Sequence, residues 1–113
     1  MAARMTLSTH VLDTTHGRPA AGVALRLQRG DALLFEGVTD ADGRCAGLRD
    51  VAAPPGAYRL EFAVADYFRA AGVALPEPPF LDRVGIDFGI AGNGHYHVPL
   101  LVSPFGYSTY RGS

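Results

Sequence analysis

The sequence predicts an all-β fold in which two sheets pack face to face. Short runs of residues alternate between apolar and polar, Gly, Pro and Asp separate these runs at close intervals, and helical periodicity is nearly absent. The chain has 113 residues, of which 48% are hydrophobic. This is enough to bury one core without a disulfide or a structural metal, so we expect a single domain over 1–113.

The first half of the chain predicts three strands. The first strand, over 7–12, ends at a turn-rich stretch over 13–22. Apolar residues then alternate with their neighbours over 23–28, as in a strand with one buried face. Gly30 and Asp31 predict a hairpin turn that leads into a strand over 32–39.

The second half of the chain predicts the other strands and one short helix. Tyr58, Leu60 and Phe62 alternate with charged residues, as in a strand with one solvent-facing side. Three prolines exclude a central strand over 75–80. A two-turn helix is predicted over 65–71 and is ended by Gly72. Further strands are predicted over 84–90, 95–103 and 107–113, and we expect seven or eight strands in total.

Charge is low and evenly spread along the chain. Ten arginines against eleven acidic residues give a net charge of −1, and charged residues make up 19% of the sequence. Nucleic acids and anionic membranes need a concentrated basic face, so we exclude both as partners. A charged fraction below the usual ~25% indicates surface that is buried in an oligomer.

The chain shows no export or membrane signal. Residues 1–5 lack the apolar segment of a leader, and no stretch approaches the ~20 apolar residues of a membrane span. The single cysteine, Cys45, cannot form an internal disulfide, which fits a reducing compartment. We therefore expect a cytoplasmic protein.

Three histidines stand out within the predicted strands. His95 and His97 are two residues apart, so their side chains share one face of a strand, and His10 lies in the first strand. Each could be an ordinary surface or hydrogen-bonded histidine, or one could be a general base near neutral pH. A metal site is the weaker interpretation, because a His-x-His pair needs a third protein ligand.

Other catalytic motifs are missing from the sequence. It contains no nucleophile elbow, phosphate-binding loop or dinucleotide-binding glycine pattern. Cys45 is expected to be a small buried hydrophobe, although the neighbouring Arg44 leaves a reactive thiol open. Residues 107–113 are aromatic, polar and basic, which indicates an ordered end that contacts a partner subunit or a ligand.

Four segments together resemble a known family. They are LSTHVLD at 7–13, DGR at 42–44, HYHVPLL at 95–101 and YSTYRGS at 107–113. This set is similar to the transthyretin-related 5-hydroxyisourate hydrolases of purine catabolism over essentially the whole chain, and the Tyr-Arg-Gly-Ser ending is specific to the enzymes. The chain departs from the family at PFLDRV, 79–84, where a Phe-Phe-Pro-like segment is common, and Gly85 and Gly89 are expected to loosen the following strand.

The resemblance implies a fold, an assembly and an activity. The fold is a transthyretin-like sandwich of two four-stranded antiparallel sheets with one short helix. The assembly is a homotetramer, a dimer of dimers, with active sites in the channel between dimers. The activity is hydrolysis of 5-hydroxyisourate to 2-oxo-4-hydroxy-4-carboxy-5-ureidoimidazoline, without a metal or an organic cofactor.

The resemblance also carries a set of site residues onto this chain. Its catalytic residues fall on His10, Arg44, His97 and Ser113, and its substrate-binding residues on His10, Arg44, Tyr110 and Arg111. We expect the two catalytic histidines to divide water activation and proton delivery, in an order that the sequence leaves undecided. Arg44 would hold the substrate oxygens and the developing negative charge. Ser113 would orient water or a histidine, and a nucleophilic role is the less favoured one.

The alternative function is that of a non-catalytic carrier which binds an aromatic ligand in the tetramer channel. The polar trio of His10, Arg44 and His97 argues against a carrier of an apolar ligand. Buried polar groups without a partner cost about 1–3 kcal/mol each, so an apolar channel would exclude them. A third possibility, an adhesive structural domain, leaves both the histidines and the ordered C-terminus unexplained.

Overall fold

The polypeptide forms strands, one α-helix and one 3₁₀-helix in the computed structural model, which describes residues 5–112. Within that range, neither helix has the length and apolarity that crossing a membrane requires. The strands are β1 (Met5–Asp13), β2 (Arg18–Pro19), β3 (Ala24–Arg29), β4 (Ala32–Val38), β5 (Gly56–Ala63), β6 (Arg83–Ile90), β7 (Gly94–Ser103) and β8 (Gly106–Thr109), while α1 spans Val64–Ala70 and the 3₁₀-helix Ala46–Asp50.

The strands assemble into two four-stranded sheets, as predicted. The first sheet has the order β2-β1-β7-β8 and the second the order β4-β3-β5-β6. Pairing in the second sheet is antiparallel throughout, whereas β1 and β7 in the first sheet run parallel along the whole of β1. This pair corrects the expectation of two fully antiparallel sheets. The second sheet lies between β1 and β7 in the sequence, so no hairpin dictates their relative direction.

Apolar residues on the facing sides of the two sheets form the core. Leu7 and Val11 of β1 are fully buried, and so are Leu60 and Phe62 of β5. Because side chains alternate along a strand, the intervening residues point away from the core. The part of this side that gathers polar residues is what we call the outer face of the first sheet, and it consists of Thr6, Ser8, His10, His95, His97 and Pro99.

The element boundaries confirm most of the sequence predictions to within a residue or two. The helix begins and ends one residue earlier than the predicted 65–71. The 3₁₀-helix was not predicted, because its 5 residues are too few for a helical period to show. The last strand ends at Thr109 and does not continue to Ser113 as predicted. Pro99, the next residue of β7 along the ladder, has no N–H with which to extend it.

The two glycines of β6 do not loosen that strand, contrary to our expectation. It pairs with β5 over its full length from Arg83 to Ile90. A Cβ at Gly85 would lie only 2.0 Å from Nη2 of Arg59. The Arg59 guanidinium donates to the Asp87 carboxylate on the same strand at 3.0 Å. Gly85 therefore leaves room for the arginine of a surface ion pair.

Candidate active site

The outer face of the first sheet gathers polar side chains from β1 and β7. The parallel register places Thr6 beside His95 and Ser8 beside His97. His10 lies on the same side of β1, since residues two apart share a face. The predicted shared face of His95 and His97 is confirmed, because their rings stack with centroids 6.4 Å apart and an interplanar angle of 16°.

Four of these side chains form a continuous hydrogen-bonded row, which we call the Thr6–His97 network. It consists of Thr6, His95, Ser8 and His97. Oγ1 of Thr6 lies 2.6 Å from Nδ1 of His95, and Oγ of Ser8 lies 2.8 Å from Nε2 of His95. The same Ser8 Oγ lies 2.7 Å from Nδ1 of His97. Since Nδ1 of His97 is occupied, Nε2 is the nitrogen that remains for water or substrate.

A tight turn brings Arg44 to this face. Oδ1 of Asp40 accepts the backbone N–H groups of Asp42 at 2.9 Å and Arg44 at 3.0 Å, which closes the turn. Gly43 has a φ of +76°, and a Cβ there would lie 2.4 Å from a backbone carbonyl of β1, so only glycine fits. Arg44 then forms an isolated β-bridge with His10. The Asp-Gly signal in the sequence therefore marks the turn that places Arg44 beside the histidines.

A small cavity opens between this turn and β1. It has a volume of about 140 Å³, and its lining includes Ser8, Arg44 and Arg49. Guanidinium groups present several N–H donors in one plane and remain charged at all relevant pH values. The two guanidinium groups of the cavity lining can therefore bind oxygen atoms of a flat ligand, while Asp40 of the same lining is occupied in closing the turn.

The pKa of His97 lies below the ordinary value for a histidine. Burial is the largest cause, since desolvation disfavours the charged imidazolium. The positive charge of Arg44 lowers the pKa of His97 further, and smaller electrostatic contributions come from His95, His10 and Arg49. His97 is consequently neutral at pH 7 and can accept a proton there.

The C-terminal residues fold back over His97. The N–H of Gly112 donates to the His97 carbonyl at 2.9 Å. A Cβ at Gly112 would lie 2.5 Å from Cδ2 of the His97 ring, so glycine permits this close approach. The Arg111 guanidinium lies 4.1 Å from the centroid of the Tyr96 ring, a cation–π contact. The ordered end predicted from the sequence is confirmed as far as Gly112.

The predicted site residues differ in where the structure places them. It brings His10, Arg44 and His97 together on the outer face. Tyr110 and Arg111 lie in the exposed segment that leads to the Gly112 contact, and Tyr110 is 58% exposed. Ser113 lies outside the described residues.

The structure also bears on the thiol and metal alternatives. Cys45 is buried, and burial, together with the negative charge of Asp40, raises the pKa of its thiol. Arg44 therefore does not activate the neighbouring cysteine as a nucleophile. Among residues 5–112, no three His, Cys, Asp or Glu side chains are grouped as a metal ion would require.

Several parts of the site escaped the sequence analysis. Thr6, Ser8 and His10 recur at every second position of the first strand and mark a polar face, although the sequence prediction singled out His10 alone. That spacing was a usable signal. No local pattern identifies Arg49, because its place in the site depends on contacts with distant parts of the chain. Gly112 lies in the Tyr-Arg-Gly-Ser motif, but its close approach to the His97 ring is visible only in the structure.

Comparison with known proteins identifies one family for this sequence and fold. The model of the HIUase/Transthyretin family matches residues 7–112. A 5-hydroxyisourate hydrolase of Caulobacter vibrioides is 53% identical over 112 residues, which cover 95% of this chain and 97% of the relative. The Klebsiella pneumoniae 5-hydroxyisourate hydrolase structure superposes with a TM-score of 0.85 at 41% identity, over 97% of this chain and 100% of that one. Sea bream transthyretin in complex with thyroxine superposes with a TM-score of 0.81 at 32% identity, over 95% of this chain and 94% of that one. This chain therefore belongs to the HIUase/transthyretin family.

Proposed function

We propose that this protein hydrolyses 5-hydroxyisourate to 2-oxo-4-hydroxy-4-carboxy-5-ureidoimidazoline in urate degradation. The observation that carries the proposal is the grouping of a neutral His97 with His10 and Arg44 on one sheet face. In structural superposition the Klebsiella pneumoniae hydrolase is 41% identical to this chain, whereas sea bream transthyretin in complex with thyroxine is 32% identical. In sequence alignment a Caulobacter vibrioides hydrolase is 53% identical. Both comparisons favour the enzyme over the carrier.

In the proposed mechanism His97 is the general base. Its Nε2 takes a proton from water while the water oxygen forms a bond to the acyl carbon of the substrate. Arg44 stabilises the negative charge that develops on the carbonyl oxygen. The C–N bond then breaks, and His10 donates a proton to the leaving nitrogen. Proton transfer through solvent from His97 to His10 restores the starting state.

Substrate binding and orientation are assigned to the turn and the C-terminal residues. Arg44 and His10 hold the polar oxygens, while Tyr110 and Arg111 border the ring of the substrate. Ser113 supplies a hydroxyl, which orients the attacking water or a histidine. This chemistry needs no metal or organic cofactor.

We further propose that four copies form a dimer of dimers with the active sites between dimers. β8 lies at the edge of the first sheet, and all 4 of its residues are exposed. An exposed edge offers unpaired N–H and C=O groups to another copy. Exposed aromatic side chains, including Phe105 and Tyr107, lie at or next to this edge. We place this assembly of single domains, each spanning 1–113, in the cytoplasm.

The activity is tested by following the ultraviolet decay of 5-hydroxyisourate, generated from urate by its oxidase. We expect the wild-type protein to accelerate the decay, and His97→Ala to lower the rate about 10²- to 10⁴-fold, since it removes a positioned base. His16→Ala, a change to the histidine that lies outside the site, is the matched control and should keep the wild-type rate. Decay that never exceeds the spontaneous rate would overturn the enzyme proposal. Binding of an aromatic ligand in the channel would then be the function to measure.

A further inference from the structure

The Thr6–His97 network contains a constraint on where its protons lie. The Ser8 hydroxyl carries one hydrogen, yet it contacts two imidazole nitrogens, Nε2 of His95 and Nδ1 of His97. It can therefore donate to one ring only, and the other ring must donate to it. The tautomers of the two histidines are coupled through this single hydroxyl.

An arrangement in which both rings donate to Ser8 is disfavoured. Its hydroxyl hydrogen would then need a third partner, and no other described residue accepts a hydrogen bond from it. Ser8 is 8% exposed, so an unmatched donor there would be costly. Two arrangements remain, with the Ser8 hydrogen directed either to His95 or to His97.

The surrounding charges distinguish these two arrangements. If Ser8 donates to His95, His97 carries its proton on Nδ1 and has a lone pair on Nε2. If Ser8 donates to His97, Nε2 of His97 carries the proton instead. Arg44 and Arg49 line the same cavity as Ser8 and place positive charge near His97. A positive environment favours a lone pair over an N–H group at the nitrogen that is open to it.

We propose that Ser8 and His95 are positioning residues, which hold His97 in the tautomer with a proton on Nδ1 and a lone pair on Nε2. His95 accepts the Ser8 hydrogen at Nε2 and donates its own Nδ1 proton to Oγ1 of Thr6. The inference rests on the proposed function in one respect, since the Nε2 lone pair is what a general base must offer. When His97 takes a proton from water, its Nδ1–H still donates to Ser8, so the ring keeps its position.

The tautomers can be observed directly and without substrate. In long-range proton–nitrogen correlation spectra of protein labelled with ¹⁵N-histidine, recorded at a pH where the rings are neutral, His95 and His97 should both show a protonated Nδ1. Ser8→Ala should move His97 toward the tautomer with the proton on Nε2, which free histidine prefers. His95→Phe should have the same effect, because it releases the Ser8 hydrogen to Nδ1 of His97. Ser8→Thr, which keeps the hydroxyl, should retain the wild-type tautomer.

Kinetics supply a second readout. We expect Ser8→Ala and His95→Phe to lower kcat about 10- to 100-fold with little change in KM, by analogy with groups that orient histidine ligands. In both variants the pH at which kcat falls on the acid side should also change. Ser103→Ala is the matched control. Ser103 lies on β7, the strand of His95 and His97, and among the described residues its hydroxyl donates only to the Gly106 carbonyl. It should change neither the spectra nor the kinetics.

The possible results separate this inference from the proposed function. A wild-type His97 with its proton on Nε2 would overturn the inference even if hydrolysis is fast. An unchanged tautomer in a folded Ser8→Ala protein would overturn it as well. If the protein shows the expected tautomers but does not accelerate the decay of 5-hydroxyisourate, the inference about the network stands and only the proposed function is overturned.

Discussion

At the scale of single residues, Arg44 combines two effects that can be separated. Burial is the largest cause of the lowered pKa of His97, and the positive charge of Arg44 is the next. The planar guanidinium of Arg44 also suits the oxygen atoms of a substrate. We predict that Arg44→Gln raises the pKa of His97 and that Arg44→Lys leaves it nearly unchanged. Both variants should lose turnover, because lysine cannot reproduce the bidentate geometry. The pKa is measured by NMR titration of the His97 ring protons.

The pH dependence of activity follows from the same shift. His97 must be neutral to act as a base, and its pKa lies below the usual ~6.5. On the acid side, turnover should therefore hold at pH 7 and fall as the pH drops through the lowered pKa of His97. In Arg44→Lys the acid limb should stay in place, although the plateau is lower. An acid limb above the usual histidine value would contradict a neutral, half-buried His97. Arg83→Gln, on the other sheet, serves as the control.

At the scale of elements, the fold of the C-terminal segment depends on one close approach. A Cβ at Gly112 would meet the His97 ring at 2.5 Å. We predict that Gly112→Ala displaces the ring or the C-terminal segment and lowers kcat by up to about 100-fold, the scale of a 1 Å misplacement. The measurement is the decay assay together with thermal unfolding.

The control for this substitution is Gly89→Ala in β6. A Cβ at Gly89 meets nothing within 4 Å, so the same chemical change should be silent there. Wild-type kcat in the Gly112→Ala variant would show that the contact between the C-terminal segment and His97 has no role in turnover.

The elements themselves were largely predictable from local patterns. Alternation identified the strand around Tyr58 and the strand over 84–90, and the Gly-Asp pair identified the β3–β4 hairpin. The predicted end of an element was wrong where a residue on another strand determines it. β8 ends early because of Pro99, which lies on another strand, and no property of residues 107–113 reveals this.

At the scale of the whole molecule, a buried carboxylate joins the first sheet to α1. Asp13 ends β1 at 1% exposure and accepts the Tyr67 hydroxyl at 2.6 Å. It also accepts the backbone N–H groups of Thr15 and His16 at 2.9 Å and lies 2.6 Å from the His16 ring. We predict that Tyr67→Phe lowers the free energy of unfolding by about 1.5–3 kcal/mol, the range for a hydrogen bond to a charged group. Urea unfolding at pH 7 measures this loss.

The loss should depend on pH with a defined sign. Burial raises the pKa of Asp13, but the hydrogen bonds from Tyr67 and His16 outweigh it, and the net pKa lies below the ordinary value. The unfolded chain therefore binds this proton more readily than the folded one. The stabilisation is complete above the unfolded pKa of ~3.9 and disappears as the pH falls through the folded pKa. The difference in unfolding free energy between wild type and Tyr67→Phe should shrink at low pH.

The proposed tetramer makes a prediction about concentration. If active sites lie between dimers, dilution to monomer should abolish turnover per protomer, because each site loses the neighbouring surface that closes it. Light scattering and the decay assay, run on the same dilution series, test this. Full turnover by a demonstrated monomer would contradict the placement of the sites.

The sequence by itself determined the all-β class, the strand and turn positions, and the residue types that carry the chemistry, because alternation and turn formation are local properties. Its motifs also sufficed to indicate the family. Only the tertiary structure decided that β1 and β7 pair in parallel, which places Ser8 against His97, 89 residues away. It also decided the approach of Gly112 to His97 and the charges that lower the His97 pKa. These features depend on long-range pairing and on burial, and neither is encoded in the residues on either side.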